Sequence, residues 1–416
     1  MRRLPTASTV TVRRAALSFG SIVLLCCGLR VDAEVWPRHV IDDSSRGADG
    51  VRLADFNADG RLDIVTGWEE GGITRVYLQP PADEVRRPWP AVTVGPAPSV
   101  EDAVAVDLDG DGQLDVVSST EGRHQSLIVH WAPNNAEALL DPKAWKTEAF
   151  PASVGAQQWM YCLPMQIDGK AGVDLVTGSK GPNAAVGWWQ SPADPRDLKQ
   201  WKYHKLIDAG WIMSLIADDF DFDGDADILV TDRRGSASGV KWLAKPDPSA
   251  VTVGDAWVTH MIGGVSKEVM FANLVDLDFD GMRDVLVITR NRTLDIFRRV
   301  NVDSTPLWSD VSIANPFGYE HGKSLVAADF DRDGQLEIAT TTRPVPTSGP
   351  ALALLRQTDG PFDSAWTASD IGGPDGSKFD LLEAIDVDRD GDLDLITCEE
   401  VANLGVVWYE NPLFDD

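Results

Sequence analysis

Short runs of alternating apolar and polar residues, separated by Gly, Pro and Asp, follow one another along the chain from about residue 36. Alternation with β-branched side chains is typical of half-buried strands, and no stretch shows a convincing helical period. One repeat, for example, contains four such runs, at 214–217, 227–231, 239–242 and 257–262. The pattern therefore predicts an all-β protein built from four-stranded units, whose strands we call A to D.

An acidic nonapeptide lies between strands A and B of every unit. The first copy, at 55–63, reads Asp-Phe-Asn-Ala-Asp-Gly-Arg-Leu-Asp. Further copies begin at Asp107, Asp219, Asp276, Asp329 and Asp386, with a degraded copy at Gln166. Successive starts are 52, 59, 53, 57, 53 and 57 residues apart. Seven units of this size, each holding four antiparallel strands, predict a seven-bladed β-propeller.

The two ends of the chain complement each other. The last unit stops after its strand C, at Trp408 and Tyr409, and a run with the character of the missing strand D lies at 36–41. We therefore expect this N-terminal strand to complete a blade with three C-terminal strands, because closure removes the exposed edges of an open array. Residues 34–416 are then a single domain.

Residues 1–33 have the character of a secretory signal peptide. Four arginines, at 2, 3, 13 and 14, precede the apolar run 15–29, and the small residues Val31 and Ala33 follow it. This order is typical of a signal peptide cleaved after Ala33, and the apolar run is too short to span a bilayer comfortably. The sequence predicts export to the periplasm or the cell exterior, with no membrane span in the mature chain.

The charge of the chain limits its partners. The net charge is −28, and loss of residues 1–33 leaves 32 basic and 64 acidic residues. Repulsion from the phosphate backbone argues against a nucleic-acid partner. Cys162 and Cys398 fall in different units, so we expect no disulfide framework.

Six of the nonapeptides have the composition of calcium loops. Side-chain oxygens stand at positions 1, 3, 5 and 9, a backbone carbonyl is available at position 7, and glycine at position 6 permits a sharp turn. Position 12 lacks the glutamate of an EF-hand, and strands flank the loop, so an EF-hand is excluded. About six structural Ca²⁺ sites are predicted. Their side-chain ligands are Asp55, Asn57, Asp59 and Asp63; Asp107, Asp109, Asp111 and Asp115; Asp219, Asp221, Asp223 and Asp227; Asp276, Asp278, Asp280 and Asp284; Asp329, Asp331, Asp333 and Glu337; and Asp386, Asp388, Asp390 and Asp394.

The third copy, Gln166–Asp174, departs from this pattern. Lys170 stands at position 5 and Ala171 stands where glycine is expected. We predict no calcium in this loop, with the Lys170 ammonium taking the place of the cation.

These loops resemble the FG-GAP/VCBS repeats of integrin-α-type propellers. The resemblance implies calcium sites that are mainly structural, on a fold that hosts lectins, adhesion modules and enzymes. Two segments, Trp-Met-Tyr-Cys-Leu-Pro at 159–164 and Gly-Trp-Ile-Met-Ser at 210–214, are also similar to the propeller region of aldos-2-ulose dehydratases. That second resemblance implies elimination chemistry on a carbohydrate.

The face opposite the acidic loops is the predicted ligand site, at the mouth of the central channel. Six residues before each nonapeptide stand Asp49, Glu101, Met160, Met213, Met270, Lys323 and Asp380. Two residues earlier stand Gly47, Ser99, Gln158, Trp211, Glu268, His321 and Lys378. The B–C loops add Lys180, Arg233, Arg234, Arg290, Arg292, Arg343, Glu399 and Glu400. An apolar sector facing a charged sector suits a sugar ring, although the methionines could equally form a plain channel core.

Three functions are compatible with these residues. The first is carbohydrate binding at the mouth, with ligand-binding residues Trp159, Met160, Trp211, Met213, Met270, Lys378, Asp380, Arg233 and Arg234. The second is a lyase or dehydratase, with His321 or Glu268 as the base and Lys323, Lys378 or Arg233 stabilising the enolate. The third is an adhesion or scaffold module for a protein partner. A metal ion recruited at the mouth is compatible with the enzymatic function.

Overall fold

The computed structural model describes residues 35–413, apart from 171, 291, 302–305, 316, 318–319 and 344–348 and the side chains of residues 320 and 321. The predicted signal peptide lies outside this range. Within the range, no helix has the length and apolar character needed to cross a bilayer.

The described residues form seven antiparallel sheets of four strands each. Blades 1 to 3 consist of β2 (Ala48–Ala54), β3 (Asp63–Trp68), β4 (Ile73–Tyr77) and β5 (Ala91–Pro96); β6 (Val100–Val106), β7 (Asp115–Thr120), β8 (Leu127–Trp131) and β9 (Lys146–Ala149); and β10 (Gln158–Met165), β11 (Asp174–Lys180), β12 (Ala185–Gln190) and β13 (Lys202–Asp208). Blades 4 and 5 consist of β14 (Ile212–Asp218), β15 (Asp227–Asp232), β16 (Gly239–Ala244) and β17 (Val258–Gly263); and β18 (Val269–Val275), β19 (Asp284–Thr289), β20 (Thr293–Arg299) and β21 (Trp308–Ala314).

The last two blades close the molecule. They consist of β22 (Glu320–Ala328), β23 (Glu337–Arg343), β24 (Leu352–Gln357) and β25 (Trp366–Asp370); and β26 (Phe379–Ile385), β27 (Asp394–Glu399), β28 (Gly405–Tyr409) and β1 (Arg38–Asp42). Strand β1 pairs with β28, with His39 opposite Trp408. Each strand A contacts strand A of the next blade, and β26 contacts β2, so the seven blades described form a closed ring. The predicted seven-bladed propeller and its closure are confirmed.

The core lies between the blades. One apolar cluster, for instance, joins Ile41 and Trp408 of blade 7 to Trp68 of blade 1. Strands β3, β7, β15, β19 and β27 are buried at every residue because neighbouring blades cover both of their faces. This explains their continuous apolar and β-branched sequences, since alternation is kept only where one face meets water.

The connections place the acidic loops and the channel mouth on opposite faces. Every nonapeptide forms the A–B hairpin of its blade, as in the turn between β2 and β3. Strands A therefore begin at the mouth and end at the acidic loops, while strands B return to the mouth. Two short 3₁₀ helices, Ala136–Ala138 and Gly254–Ala256, lie in C–D connections at the periphery.

Candidate ligand site at the channel mouth

The acidic loops share one turn geometry. In the first loop the Asp55 carboxylate accepts hydrogen bonds from the backbone nitrogens of Asp59 and Gly60, at 3.0 and 2.9 Å. Asp219 and Asp276 accept the equivalent bonds in loops 4 and 5. The position-4 residue has a positive φ in all seven loops, at Ala58, Gly110, Gly169, Phe222, Phe279, Arg332 and Arg389. The carboxylate at position 1 thus organises the turn through the backbone.

The carboxylate at position 9 ties each hairpin to the end of strand C. Asp115 accepts hydrogen bonds from the backbone nitrogens of Leu108 and Ala132, at 3.2 and 2.8 Å. Asp174 of the third loop makes the same two bonds, to Ile167 and Ser191, at 2.9 and 2.8 Å. Burial raises the pKa of Asp115 to about 7. The two backbone hydrogen bonds of position 9 are present both in the second loop and in the degraded third loop. They are therefore independent of whether the loop has a full set of calcium ligands.

The donors in the six complete loops suit a hard cation. Carboxylate oxygens of Asp107, Asp109 and Asp111 lie within 4.8 Å of one another. The position-1 atoms Asp329 Oδ1 and Asp386 Oδ1 are buried without a hydrogen-bond partner in the described part of the chain. Oxygen-only donors and unsatisfied buried carboxylate oxygens are the chemistry that Ca²⁺ complements.

The third loop satisfies its own oxygens instead. The Gln166 amide donates hydrogen bonds to the backbone oxygens of Lys170 and Gly172, at 2.8 and 2.6 Å. Lys170 Nζ lies 2.7 Å from Asp168 Oδ2. Gly172 supplies the position-7 carbonyl, which in the other loops is available to a metal. Amide and ammonium groups of the chain itself thus reach the oxygens that a cation would otherwise bind.

A cavity of about 440 Å³, partly open to solvent, lies on the propeller axis at the mouth. All seven blades contribute to its wall, which consists of Asp49, Gly50, Glu101, Asp102, Met160, Tyr161, Trp211, Met213, Arg233, Phe271, Lys323, Asp380 and Leu381. Most of these residues begin strands A, as the alignment of the nonapeptides predicts. The apolar side chains belong mainly to blades 3 to 5, and the carboxylates belong to blades 7, 1 and 2.

A second ring of residues lies at the end of the strands B or one residue beyond it. Every blade contributes a charged residue to this ring. Its members, each 14 residues after the start of a nonapeptide, are Glu69, Glu121, Lys180, Arg233, Arg290, Arg343 and Glu400. The acidic members belong to blades 1, 2 and 7, and the basic members belong to blades 3 to 6. The mouth is therefore electrostatically two-sided, with an acidic sector and a basic sector.

Trp211 supports the basic sector. The charged groups of Lys180, Arg233 and Arg234 lie 4.6, 4.4 and 4.6 Å from its ring centroids. Arg233 also binds Glu268 at 3.0 Å. Desolvation, and then the neighbouring Arg290, lowers the pKa of Arg233. Since three cations already lie over the ring of Trp211, the apolar wall of the cavity is supplied mainly by Met160, Met213 and Phe271.

The acidic sector is buried, and its carboxylates lie close to one another. Burial raises the pKa of Asp49 well above its usual range, and the adjacent Asp380 raises it further. Burial likewise raises the pKa of Glu101 to about 8, although Lys180 lies 3.2 Å from it. Lys323 pairs with Asp380, and Lys378 pairs with Glu400. Glu101 thus titrates near neutral pH inside a cavity, which is a property common at functional sites.

Other predicted site residues lie away from the cavity. Trp159 is fully buried among the apolar residues between blades 2 and 3, and its indole nitrogen donates to Ser153 O at 3.1 Å. Met270 is fully buried in the core between blades 4 and 6. Glu268 and Lys378 lie on the rim, paired as described above. The side chain of His321 lies outside the described residues, so its predicted role as a base stays a prediction.

Comparison with protein families agrees with the loop geometry. A family model described as FG-GAP-like repeat matches residues 55–118 and 276–340. These segments hold the first, second, fifth and sixth acidic loops. The chain carries FG-GAP-like repeats. The match extends the similarity beyond single loops to two pairs of consecutive blades.

Solved structures show the same architecture at low sequence identity. The propeller domain of Cps50 (Swd1) from Myceliophteria thermophila is 10% identical, with a TM-score of 0.53, and the match covers 90% of this chain and 99% of that chain. BBS1N, solved in complex with ARL6DN and soaked with lead, is 11% identical, with a TM-score of 0.50 and coverage of 92% and 98%. No curated protein matches this chain. These likenesses establish the fold alone.

Sequence reasoning missed several residues of the mouth. Glu69 and Glu121 complete the charged ring, and the constant offset of 14 residues from the nonapeptide would have revealed them. Asp102, Tyr161 and Phe271 stand one residue after the predicted ring and still line the cavity. A register shift in strands A, such as that between Val100 and Asp102, brings two successive residues toward the mouth. No sequence signal marks such a bulge.

Proposed function

We propose that this propeller binds carbohydrate in the cavity at the channel mouth. The observation that supports the proposal is the two-sided lining of the cavity. Its apolar side consists of Met160, Met213 and Phe271, and its acidic side consists of Asp49, Glu101 and Asp380. A sugar ring has an apolar face and hydroxyl edges, and carboxyl groups accept hydrogen bonds from hydroxyls when ionised and can also donate to them when protonated.

Glycan-array binding followed by calorimetry with the selected sugar tests this proposal. The variants Met213→Ala and Glu101→Gln should each weaken binding at least about tenfold, since each removes a wall contact of roughly 1.4 kcal/mol or more. Glu137→Gln is the matched control, because Glu137 is exposed in a peripheral 3₁₀ helix. The carbohydrate site would be refuted if both cavity variants bound the sugar with the affinity of the wild type. It would also be refuted if the protein bound only a protein partner and no sugar.

A second candidate, carbohydrate lyase or dehydratase activity, is favoured by Glu101. A carboxyl group with a pKa of about 8 is poised for proton transfer near neutral pH. Glu101 would take the proton from carbon, and Lys323 or Arg233, which line the same cavity, would stabilise the resulting enolate. Glu268, the base suggested by the sequence, is instead paired with Arg233 on the rim.

Incubation with uronate polymers and keto-sugars tests the activity through the ultraviolet absorbance of a new C=C bond. Turnover by wild type at saturating sugar that falls at least about a hundredfold in Glu101→Gln, beyond the loss expected from weaker binding, supports the lyase. Binding without turnover by the wild type supports the non-catalytic module.

We propose further that the six complete loops bind Ca²⁺ and that the chain is exported. Residues at positions 1, 3, 5 and 9 would hold the ion, which would brace each A–B hairpin and neutralise its carboxylates. Chelation should lower the Tm, because an ion that binds only the folded state stabilises it. Asp107→Asn should reduce the number of bound ions by one, whereas Asp168→Asn in the third loop should leave it unchanged. N-terminal sequencing of secreted protein should begin after Ala33.

A further inference from the structure

Carboxylates outnumber cations in the acidic sector of the mouth. The carboxylates that converge there among the described residues are Asp49, Glu69, Glu70, Glu101, Glu121, Asp380 and Glu400. Three ammonium groups, those of Lys180, Lys323 and Lys378, pair with members of this set. Seven carboxylates therefore face three ammonium groups in this part of the described chain, an excess of four acidic groups.

Overlapping sets of these carboxylates have the spacing of metal ligands. Oxygens of Asp49, Asp380 and Glu400 lie within 4.8 Å of one another, and all three residues are more than nine-tenths buried. Asp49 also belongs to a second set, with Glu69 and Glu101. Asp49 is thus the residue that joins two possible coordination groups, and it lies in the cavity wall.

Asp380 has one carboxylate oxygen that no donor of the described residues satisfies. Oxygens of Asp49 and Asp380 lie within 4.8 Å of each other, and an ionised carboxylate can only accept hydrogen bonds. Lys323 Nζ donates a hydrogen bond to Asp380 Oδ2. The other oxygen, Asp380 Oδ1, is buried without a hydrogen-bond partner in the described part of the chain. A buried carboxylate oxygen that lacks a donor is a position that a bound cation would satisfy.

We propose that Asp49, Asp380 and Glu400 bind a hard divalent cation, such as Ca²⁺ or Mn²⁺, at the channel mouth. All three donors are carboxylate oxygens, the ligands that such ions prefer. Lys323 and Lys378 hold one oxygen each of Asp380 and Glu400, which fixes the orientation of these two ligands. Because Asp49 and Asp380 face the cavity, the remaining coordination positions are open to water or to ligand oxygens.

This site is separate from the six acidic loops and does not depend on the carbohydrate proposal. The loops lie at the ends of strands A, whereas Asp49 and Asp380 lie near their starts, on the opposite face. The position of a bound ion therefore distinguishes the two kinds of site without any activity measurement.

The test is anomalous diffraction from crystals of the wild-type protein soaked in Mn²⁺, with bound Mn²⁺ counted in solution by equilibrium dialysis. We expect an anomalous peak between Asp49 and Asp380, about 2.0–2.6 Å from their oxygens. Asp380→Asn and Asp49→Asn should each bind one Mn²⁺ fewer than the wild type. Asp168→Asn, in the loop predicted to lack a metal, is the control and should bind the wild-type number.

Alternative outcomes overturn the proposal. If the wild type shows no peak at the mouth, and infrared spectra show a protonated carboxyl that disappears in Asp49→Asn, a shared proton takes the place of the ion. A peak at the mouth that persists in both Asp49→Asn and Asp380→Asn would assign the ion to other ligands. Should the two variants fail to fold, Glu400→Gln, which changes the third ligand, must lower the affinity for Mn²⁺ at least about tenfold, and unchanged affinity would refute the site.

Discussion

Acidification should lower the free energy of unfolding of the propeller, because His130 is buried in its neutral form. His130 lies on β8, is fully buried, and hydrogen-bonds through its two ring nitrogens to Ser118 Oγ and Thr147 Oγ1, both at 3.0 Å. Ser118 Oγ in turn lies 2.8 Å from Thr74 Oγ1 of blade 1. The neutral imidazole is thus part of a polar chain between two blades.

Burial lowers the pKa of His130 from 6.5 to about 3. Below pH 6.5 the unfolded chain binds a proton at this histidine that the folded protein does not bind, so the free energy of unfolding falls as the pH falls from about 6.5 to about 3. At pH 4.5 the loss is two pKa units, or about 3 kcal/mol, relative to pH 7.5. Below about pH 3 the loss reaches its full value of roughly 5 kcal/mol.

The perturbation is His130→Gln, which keeps an amide in place of the imidazole and cannot titrate. Urea unfolding is followed by tryptophan fluorescence at pH 7.5 and pH 4.5, with calcium constant and in excess. We expect the wild type to lose about 3 kcal/mol more than the variant between these pH values, because the other titrating groups are common to both. Equal losses, or an NMR titration of the His130 ring near pH 6.5, would refute the reasoning.

Three further substitutions test other buried contacts by urea unfolding. Lys241→Met should cost about 3 kcal/mol, because it leaves the buried Asp232 without its ammonium partner, whereas Lys205→Met, in an exposed ion pair, should cost less than about 1 kcal/mol. Asp174→Asn should destabilise equally in calcium and in chelator, and a larger effect in calcium would contradict the backbone role of position 9. Arg52→Met should also lower the free energy of unfolding by about 3 kcal/mol, because it leaves the buried Asp102 carboxylate without its guanidinium partner. An unchanged free energy of unfolding would contradict a stabilising role for this ion pair.

The recurrent nonapeptide was sufficient to predict the fold. Its spacing gave the number of blades, and the missing strand D at Tyr409 together with the run at 36–41 gave the closure that pairs β1 with β28. These features are predictable because they depend on local turn chemistry and on period-2 alternation, which are written in consecutive residues. The same alignment also predicted which residues begin strands A.

The composition of the mouth depended on the tertiary structure. Trp159 reads as a cavity residue beside Met160, yet it packs between blades and only Met160 reaches the cavity. The bulges in strands A decide such cases, because one extra residue turns the following side chains to the other face.

The sequence by itself determined a ring of seven four-stranded blades with acidic hairpins on one face, because those features follow from repeated local patterns. Only the closed ring brought Asp49 of blade 1 against Asp380 of blade 7, and only packing placed three cations over Trp211. Residues more than 300 positions apart interact in this way because closure makes the first and last blades neighbours. Pairings of that kind, and the electrostatics that follow from them, are properties of the assembled fold.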